Sequence, residues 1–215
     1  MKRFCYRGQY HDEAVFDFIQ TKQEHIKALL ADNRLYTFTV FRFENKNLFV
    51  YYECVDEEFA PTQLLPGIEA YLNTWPGEEA PRAFVPMTDI YHSYLPNEEE
   101  SAAWHRTERV VPTAQMSRMN KDRLSSYIFY HVQLQEETPG SNGKHLTIWA
   151  NENVALLYNE KIEGTPVAYR KGMLDTHQTP ADWKGTMVPH FTYYNDGVLY
   201  HSAEVGLTLS EADLT

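Results

Sequence analysis

The chain has 215 residues, 43% hydrophobic and 14% aromatic, with 19 basic residues against 30 acidic ones and a formal charge of −11. That balance excludes nucleic acid as a partner, because such binding needs a basic footprint. No apolar run suits a membrane span or signal peptide, and Cys5 and Cys54 are too few for a disulfide scaffold and lack metal-ligand spacing. The expectation is a cytoplasmic protein with reduced thiols.

Residues 3–10 alternate as a strand, with Phe4, Tyr6 and Tyr10 on one face and Cys5, Arg7 and Gln9 on the other. From Asp12 the period becomes helical through Val15, Phe16, Phe18, Ile19, Ile26, Leu29 and Leu30, with Asp12 as N-cap and Asp32-Asn33 as the stop. Residues 35–43 and 47–54 read as a hairpin around Glu44-Asn45-Lys46-Asn47. A weaker helix follows over 61–75, then a Pro/Gly/Glu-rich loop over 76–82 and a closing strand over 88–95. The first 95 residues therefore read β-α-β-β-α-β, the ferredoxin-like order. The charged stretch 96–124 reads as a connector. After it, residues 125–215 read as a strand, a loop, a hairpin, a short helix near 180–187 and a last strand near 197–206.

The two halves echo each other. Phe4 to Glu13 reads against Ile128 to Glu137, Phe38-Thr39-Val40-Phe41 against Leu146-Thr147-Ile148-Trp149, and Ile90-Tyr91-His92-Ser93 against Leu199-Tyr200-His201-Ser202. Tyr51-Tyr52-Glu53 and Tyr158-Asn159-Glu160 follow the second pair. On this reading the offset falls from 124 at the first strand to 107 at the hairpin. The shortfall lies where the first helix should stand, around Thr138-Pro139-Gly140-Ser141-Asn142-Gly143. The fold expected is α+β: two ferredoxin-like repeats forming an intramolecular dimeric α/β barrel, the second repeat lacking its first helix.

The opening Met1-Lys2-Arg3-Phe4-Cys5, the hairpin end Asn47 to Glu53 and the closing Val85-Pro86-Met87-Thr88-Asp89-Ile90-Tyr91-His92 resemble the L-rhamnose mutarotase family, as a divergent tandem duplication. The resemblance covers about residues 1–95, and 125–206 through the repeat. It implies the dimeric α/β-barrel fold and a cofactor-independent interconversion of the anomers of a free (deoxy)pyranose by acid–base catalysis. It also implies a Tyr and a His four residues later on the first helix, with tryptophans near the second. In the first half that helix offers Phe16 and Phe18, with Gln20 and Lys22 four residues on, and Phe84 stands where a Trp is common. Related barrels include cofactor-light monooxygenases and haem enzymes, to which no residue here points.

Candidate site residues come from the repeat. Arg7 and Gln9 share a strand face, and their expected counterparts are His131 and Gln133; polar groups so placed meet either a lined pocket or a buried polar network. His131 would serve as acid or base and Arg7 would bind a hydroxyl or carboxylate. His92 and His201 would transfer protons to a ring oxygen or anomeric hydroxyl, or else cap strand ends. Trp149, Trp183, Tyr127, Phe129 and Tyr130 would form an aromatic platform for a sugar, or else be core. The nine histidines include no His-x-His or His-x-x-x-His pair, so no metal is expected, and with no phosphate loop or nucleotide fingerprint no cofactor is expected either. The partner expected is a small sugar, in a monomer or homodimer; a non-catalytic ligand-binding or interaction protein on the same scaffold is the alternative.

Overall fold

The computed structural model describes residues 1–44, 46–94, 104–109, 111–140, 142–160 and 172–214. In chain order the first elements are β1 (Lys2–Gln9), α1 (Ala14–Gln20), α2 (Gln23–Ala31), β2 (Leu35–Phe43), β3 (Asn47–Cys54), α3 (Pro61–Leu64), β4 (Phe84–Pro86) and β5 (Thr88–His92). There follow β6 (Pro112–Met119), α4 (Leu124–Glu137), β7 (Thr147–Asn151), β8 (Val154–Glu160), α5 (Trp183–Met187), β9 (Phe191–Thr192), β10 (His201–Ser202) and β11 (Glu204–Ser210). The chain divides into two compact units: Met1–Met87 with Pro96–Pro112 and Ala203–Thr215, and Thr88–Leu95 with Thr113–Ser202. No described helix is long and apolar enough to cross a membrane.

The first unit carries an antiparallel sheet in the order β11-β2-β3-β1-β4. Its β1, β2 and β3 stand where their alternation predicts, and Phe4, Tyr6 and Tyr10 face the core as read. Val15 and Ile19 from α1, and Ile26, Leu29 and Leu30 from α2, pack on Phe38, Val40, Val50 and Tyr52. Completely burying side chains of this size contributes about 1.5–3 kcal/mol each. The predicted single helix is two: the chain breaks at Thr21, whose Oγ1 donates to the Phe18 carbonyl at 2.6 Å. Asn33 stops α2 in the left-handed region at φ 55°, a conformation asparagine tolerates.

The other face of β3 carries a buried ion. Glu53 Oε1 accepts from Tyr51 Oη at 2.7 Å and Arg3 Nε at 3.4 Å. Its Oε2 accepts from Trp104 Nε1 at 2.7 Å and Arg106 Nη1 at 2.6 Å. A carboxylate with no exposure persists only with such company.

The second unit has the sheet order β10-β6-β8-β7-β5, with β9 also on β6. Set beside the first sheet, β6, β7, β8 and β10 take the places of β1, β2, β3 and β4. The hairpins agree in register: Thr39 faces Tyr51, and Thr147 faces Tyr158. Tyr158 Oη donates to Glu160 at 2.5 Å, as Tyr51 does to Glu53.

Three expectations are corrected. Residues 124–137 are a helix and not the second half's first strand, so the second unit has its first helix; the strand is β6, within the stretch read as connector. The reason is visible in Leu124, Tyr127, Ile128, His131 and Leu134, which recur at helical spacing; the alternation of Phe129, His131 and Gln133 is incidental. Second, β5 does not close the first sheet but pairs antiparallel with β7, while β11, from the C-terminal end, pairs with β2. Third, His92 lies on β5 and His201 on β10, which are not equivalent strands.

Candidate functional site

A cavity of about 330 Å³ lies in the second unit, between α4, α5 and one face of the sheet. That is at the small end of ligand-pocket volumes. Two lining positions are smaller than their counterparts: through the shared hairpin register, Ala155 and Leu146 stand where the first unit has Leu48 and Phe38, while Leu157 and Ile148 stand for Val50 and Val40. The lining is mainly Leu134, Leu146, Ile148, Leu157, Trp183 and Phe191; Lys184 is the one lysine or carboxylate-class charge among the described lining residues.

Polar lining comes from Tyr127 and His131 on α4, from Gln115 and Ser117 on β6, and from Tyr91, Asn142, Lys184 and Tyr200. His131, 4% exposed, has Nδ1 2.9 Å from the Tyr127 carbonyl oxygen, one turn earlier. A carbonyl only accepts, so Nδ1 carries the proton and Nε2 is the basic nitrogen. Nε2 has no protein hydrogen-bond partner among the described residues. Rings enclose the imidazole: Tyr127 with its centroid at 4.1 Å, Trp183 at 5.0 Å and Tyr91 at 5.6 Å. Burial pushes its pKa down to about 4, with the carbonyl opposing and His190 assisting. The ring is therefore neutral at physiological pH.

Tyr127 is 4% exposed, and burial, with the Tyr200 phenol nearby, holds its hydroxyl above the usual tyrosine range. It remains a protonated donor, and its hydroxyl has no protein partner among the described residues. Asn142 Nδ2 donates to Tyr91 Oη at 2.9 Å, and its backbone N–H donates to Ser93 Oγ at 3.1 Å. This bracing turns Tyr91 toward the cavity wall. The arrangement can enclose a small, mainly apolar molecule and present to it the His131 base and a hydroxyl donor in Tyr127, with Ser117 and Tyr200 also on the wall.

No family model matches the chain, and no curated protein matches it in sequence. Two solved structures are similar. One is a "putative monooxygenase" from Lactobacillus acidophilus NCFM, 6% identical over 97% of this chain and 95% of that one, TM-score 0.42. The other is a "putative monooxygenase" from Fusobacterium nucleatum subsp. nucleatum ATCC 25586, 8% identical over 97% and 93%, TM-score 0.45. The expected sugar mutarotase is corrected: neither structure bears that name, and the cavity is mainly apolar where a pyranose needs hydrogen bonds around its ring. Nor do those names favour the non-catalytic alternative. Identities and TM-scores this low carry no chemistry, which is argued from the cavity.

Of the residues singled out from sequence, His131, Tyr127 and Trp183 line the cavity, His131 and Tyr127 from one helix and not from a strand. Arg7 lies in the first unit, where Nε donates to Asn47 Oδ1 at 2.9 Å and the guanidinium covers the Trp75 ring at 5.3 Å. Gln9 ends β1, half-buried. Gln133 turns to Glu137 and Thr176, each at 2.6 Å. Tyr130 packs edge-on to Phe129 and His190. Trp149 is on the opposite sheet face from Ile148, with Nε1 donating to Thr147 at 2.9 Å. His92 pairs with Asp89 at 3.0 Å, and His201 with Asp196 at 3.0 Å while stacked on Tyr194. Sequence reasoning missed Asn142, Tyr91 and Ala155. The helical period over 124–134 would have placed Tyr127 and His131 on one face.

Proposed function

We propose that the second unit is a proton-transfer site for a small, largely apolar molecule bearing an O–H or comparably acidic group, with His131 Nε2 as the proton acceptor and the Tyr127 hydroxyl as donor to the ligand. The observation that carries this is the buried, neutral His131, which lines the cavity and whose basic nitrogen has no protein hydrogen-bond partner among the described residues. A neutral imidazole accepts a proton without first losing one. As charge develops on the ligand, an imidazolium beside an anion offsets the desolvation that keeps His131 uncharged. Tyr127 and His131 are four residues apart on α4, one turn, so both groups can meet one ligand. The shared sheet order and hairpin register support a second reading, that the two units are copies of one β-α-β-β-α-β unit.

The test uses 2-naphthol, an apolar ring with one O–H that becomes a strong acid when excited. In the cavity it should emit as naphtholate with the wild-type protein and as neutral naphthol with His131→Phe. Ala155→Trp, which fills the space, should abolish binding in ligand-observed NMR. Binding unaffected by Ala155→Trp, or naphtholate emission that survives His131→Phe, refutes the site. Faster anomeric exchange of a free pyranose would overturn the apolar reading. Oxygen uptake with bound aromatic probes is read alongside, since it would bring the reaction named for the two solved structures.

A further inference from the structure

Glu137, the last residue of α4, is outside the cavity, yet its carboxylate gathers a segment that leads to the cavity wall. Its Oε1 accepts from Gln133 Nε2 at 2.6 Å, Thr176 Oγ1 at 2.6 Å and the Gln178 backbone N–H at 2.8 Å. Its Oε2 accepts from the Thr179 backbone N–H at 2.9 Å and from Thr179 Oγ1. The Thr176 and Thr179 donors, aided by the two backbone N–H groups, hold this carboxylate below the usual range. The segment lies close along the helix end: the Leu174 N–H donates to the Glu136 carbonyl at 3.1 Å, and a Cβ on Gly172 would fall 2.0 Å from that same oxygen.

Residues 172–182 have no helix or strand of their own, so these bonds are what fixes them. Immediately after comes Trp183, the first residue of α5, whose ring meets His131 at 5.0 Å. Met187 and Val188 of the same turn also line the cavity. At its far end this wall is tied by the short β9–β6 pairing and by His190, whose Nε2 is 2.8 Å from Ser126 Oγ. At its near end, beyond the Asp182 cap on Gly185, the ties among the described residues run to Glu137 and the Glu136 carbonyl. A charged acceptor with several donors is a strong latch for an irregular strand.

We infer that Glu137 is a positioning residue that latches residues 172–182 as a strap, holding Trp183 and α5 closed over the cavity and setting how fast a ligand leaves. The inference rests on the cavity being a ligand site. Glu137→Gln replaces a carboxylate oxygen with an NH2 group facing donors, so the strap loosens while α4 and His131 stay in place. Loss of such charged hydrogen bonds should speed release of 2-naphthol about tenfold.

The protein is labelled with 5-fluorotryptophan, giving four 19F resonances from Trp75, Trp104, Trp149 and Trp183, the last assigned with Trp183→Phe. In Glu137→Gln only the Trp183 resonance should move and gain a larger H2O/D2O solvent shift, and naphthol release should accelerate. Thr179→Val, which removes one donor and leaves the helix untouched, should act in the same direction by a smaller factor. An unmoved Trp183 resonance with wild-type release in both variants overturns the latch, as does equal movement of all four resonances, which marks a general structural loss. If the wild-type protein does not bind 2-naphthol, the ligand site fails, while the Trp183 resonance still reports whether Glu137 holds the strap.

Discussion

Protonation of His131 offers a quantitative test, because the imidazole is enclosed by three aromatic rings and has no carboxylate partner among the described residues. Its pKa stands at about 4 in the folded protein, against the ordinary value of 6.5. The unfolded chain therefore takes up a proton at this position first as pH falls. Between about 6.5 and about 4 the unfolded state holds more protons at this site, so acid favours unfolding; above that window the site makes no pH-dependent difference. At about 1.4 kcal/mol per tenfold, the site destabilises the fold by about 3 kcal/mol once pH has fallen through the window. The assay is urea unfolding of wild type and His131→Phe at half-unit steps from pH 7.5 to 4, following the aromatic signal of the second unit. Other groups titrate in both proteins, so the difference between the two curves isolates His131. The wild type should lose about 3 kcal/mol relative to the variant across the window. Parallel curves would show an imidazole in water or paired with an acid, and would remove the neutral base from the proposed mechanism. Proton acceptance by the site should correspondingly persist down to about pH 4, well below the range of an exposed histidine.

Further outcomes follow from particular contacts. Glu53→Ala leaves the Arg106 and Arg3 guanidinium groups without their buried counter-charge and should lower stability by about 3–5 kcal/mol in denaturant unfolding; a loss near zero would mean the network is hydrated. Ala155→Trp should cost no more than about 1–3 kcal/mol while closing the cavity, and a change in unfolding midpoint larger than that would show a site already filled by its own side chains. Burial pushes the Cys54 thiol up to about 12, so it should resist thiol reagents at pH 8 until denaturant is added; labelling of Cys54 at the unfolded rate would refute its burial.

The hairpin was legible because two signals coincided: β-branched and aromatic alternation over 35–43 and 47–54, and a polar break between them. The second hairpin was legible through its Thr and Tyr-x-Glu positions, which occupy the same register in both sheets. The helix over 124–137 was not, because Phe129, His131 and Gln133 also satisfy a period of two, and a comparison with Phe4–Glu13 favoured the strand. With the helix mistaken, Tyr127 and His131 could not be seen as a pair on one face. Arg7 and Gln133 were singled out as lining residues, but a sequence cannot say that Arg7 finds Asn47 and Trp75, or that Gln133 turns outward to Glu137.

By itself the sequence determined the charge balance, the α+β class and the core face of β1, since those depend on composition and on periods within a few residues. Only the tertiary structure decided which sheet each closing strand joins. The apolar patterns of β5 and β11 would satisfy either edge, and the pairing of β5 with β7 and of β11 with β2 is fixed by residues far away in the chain. The cavity was decided there too. Ala155 and Leu146 are smaller than Leu48 and Phe38 at the same register of the first unit, but a void is a property of all the packed neighbours. The same enclosure makes His131 a neutral base: its pKa is set by its burial among the surrounding rings, which its place in the sequence does not record.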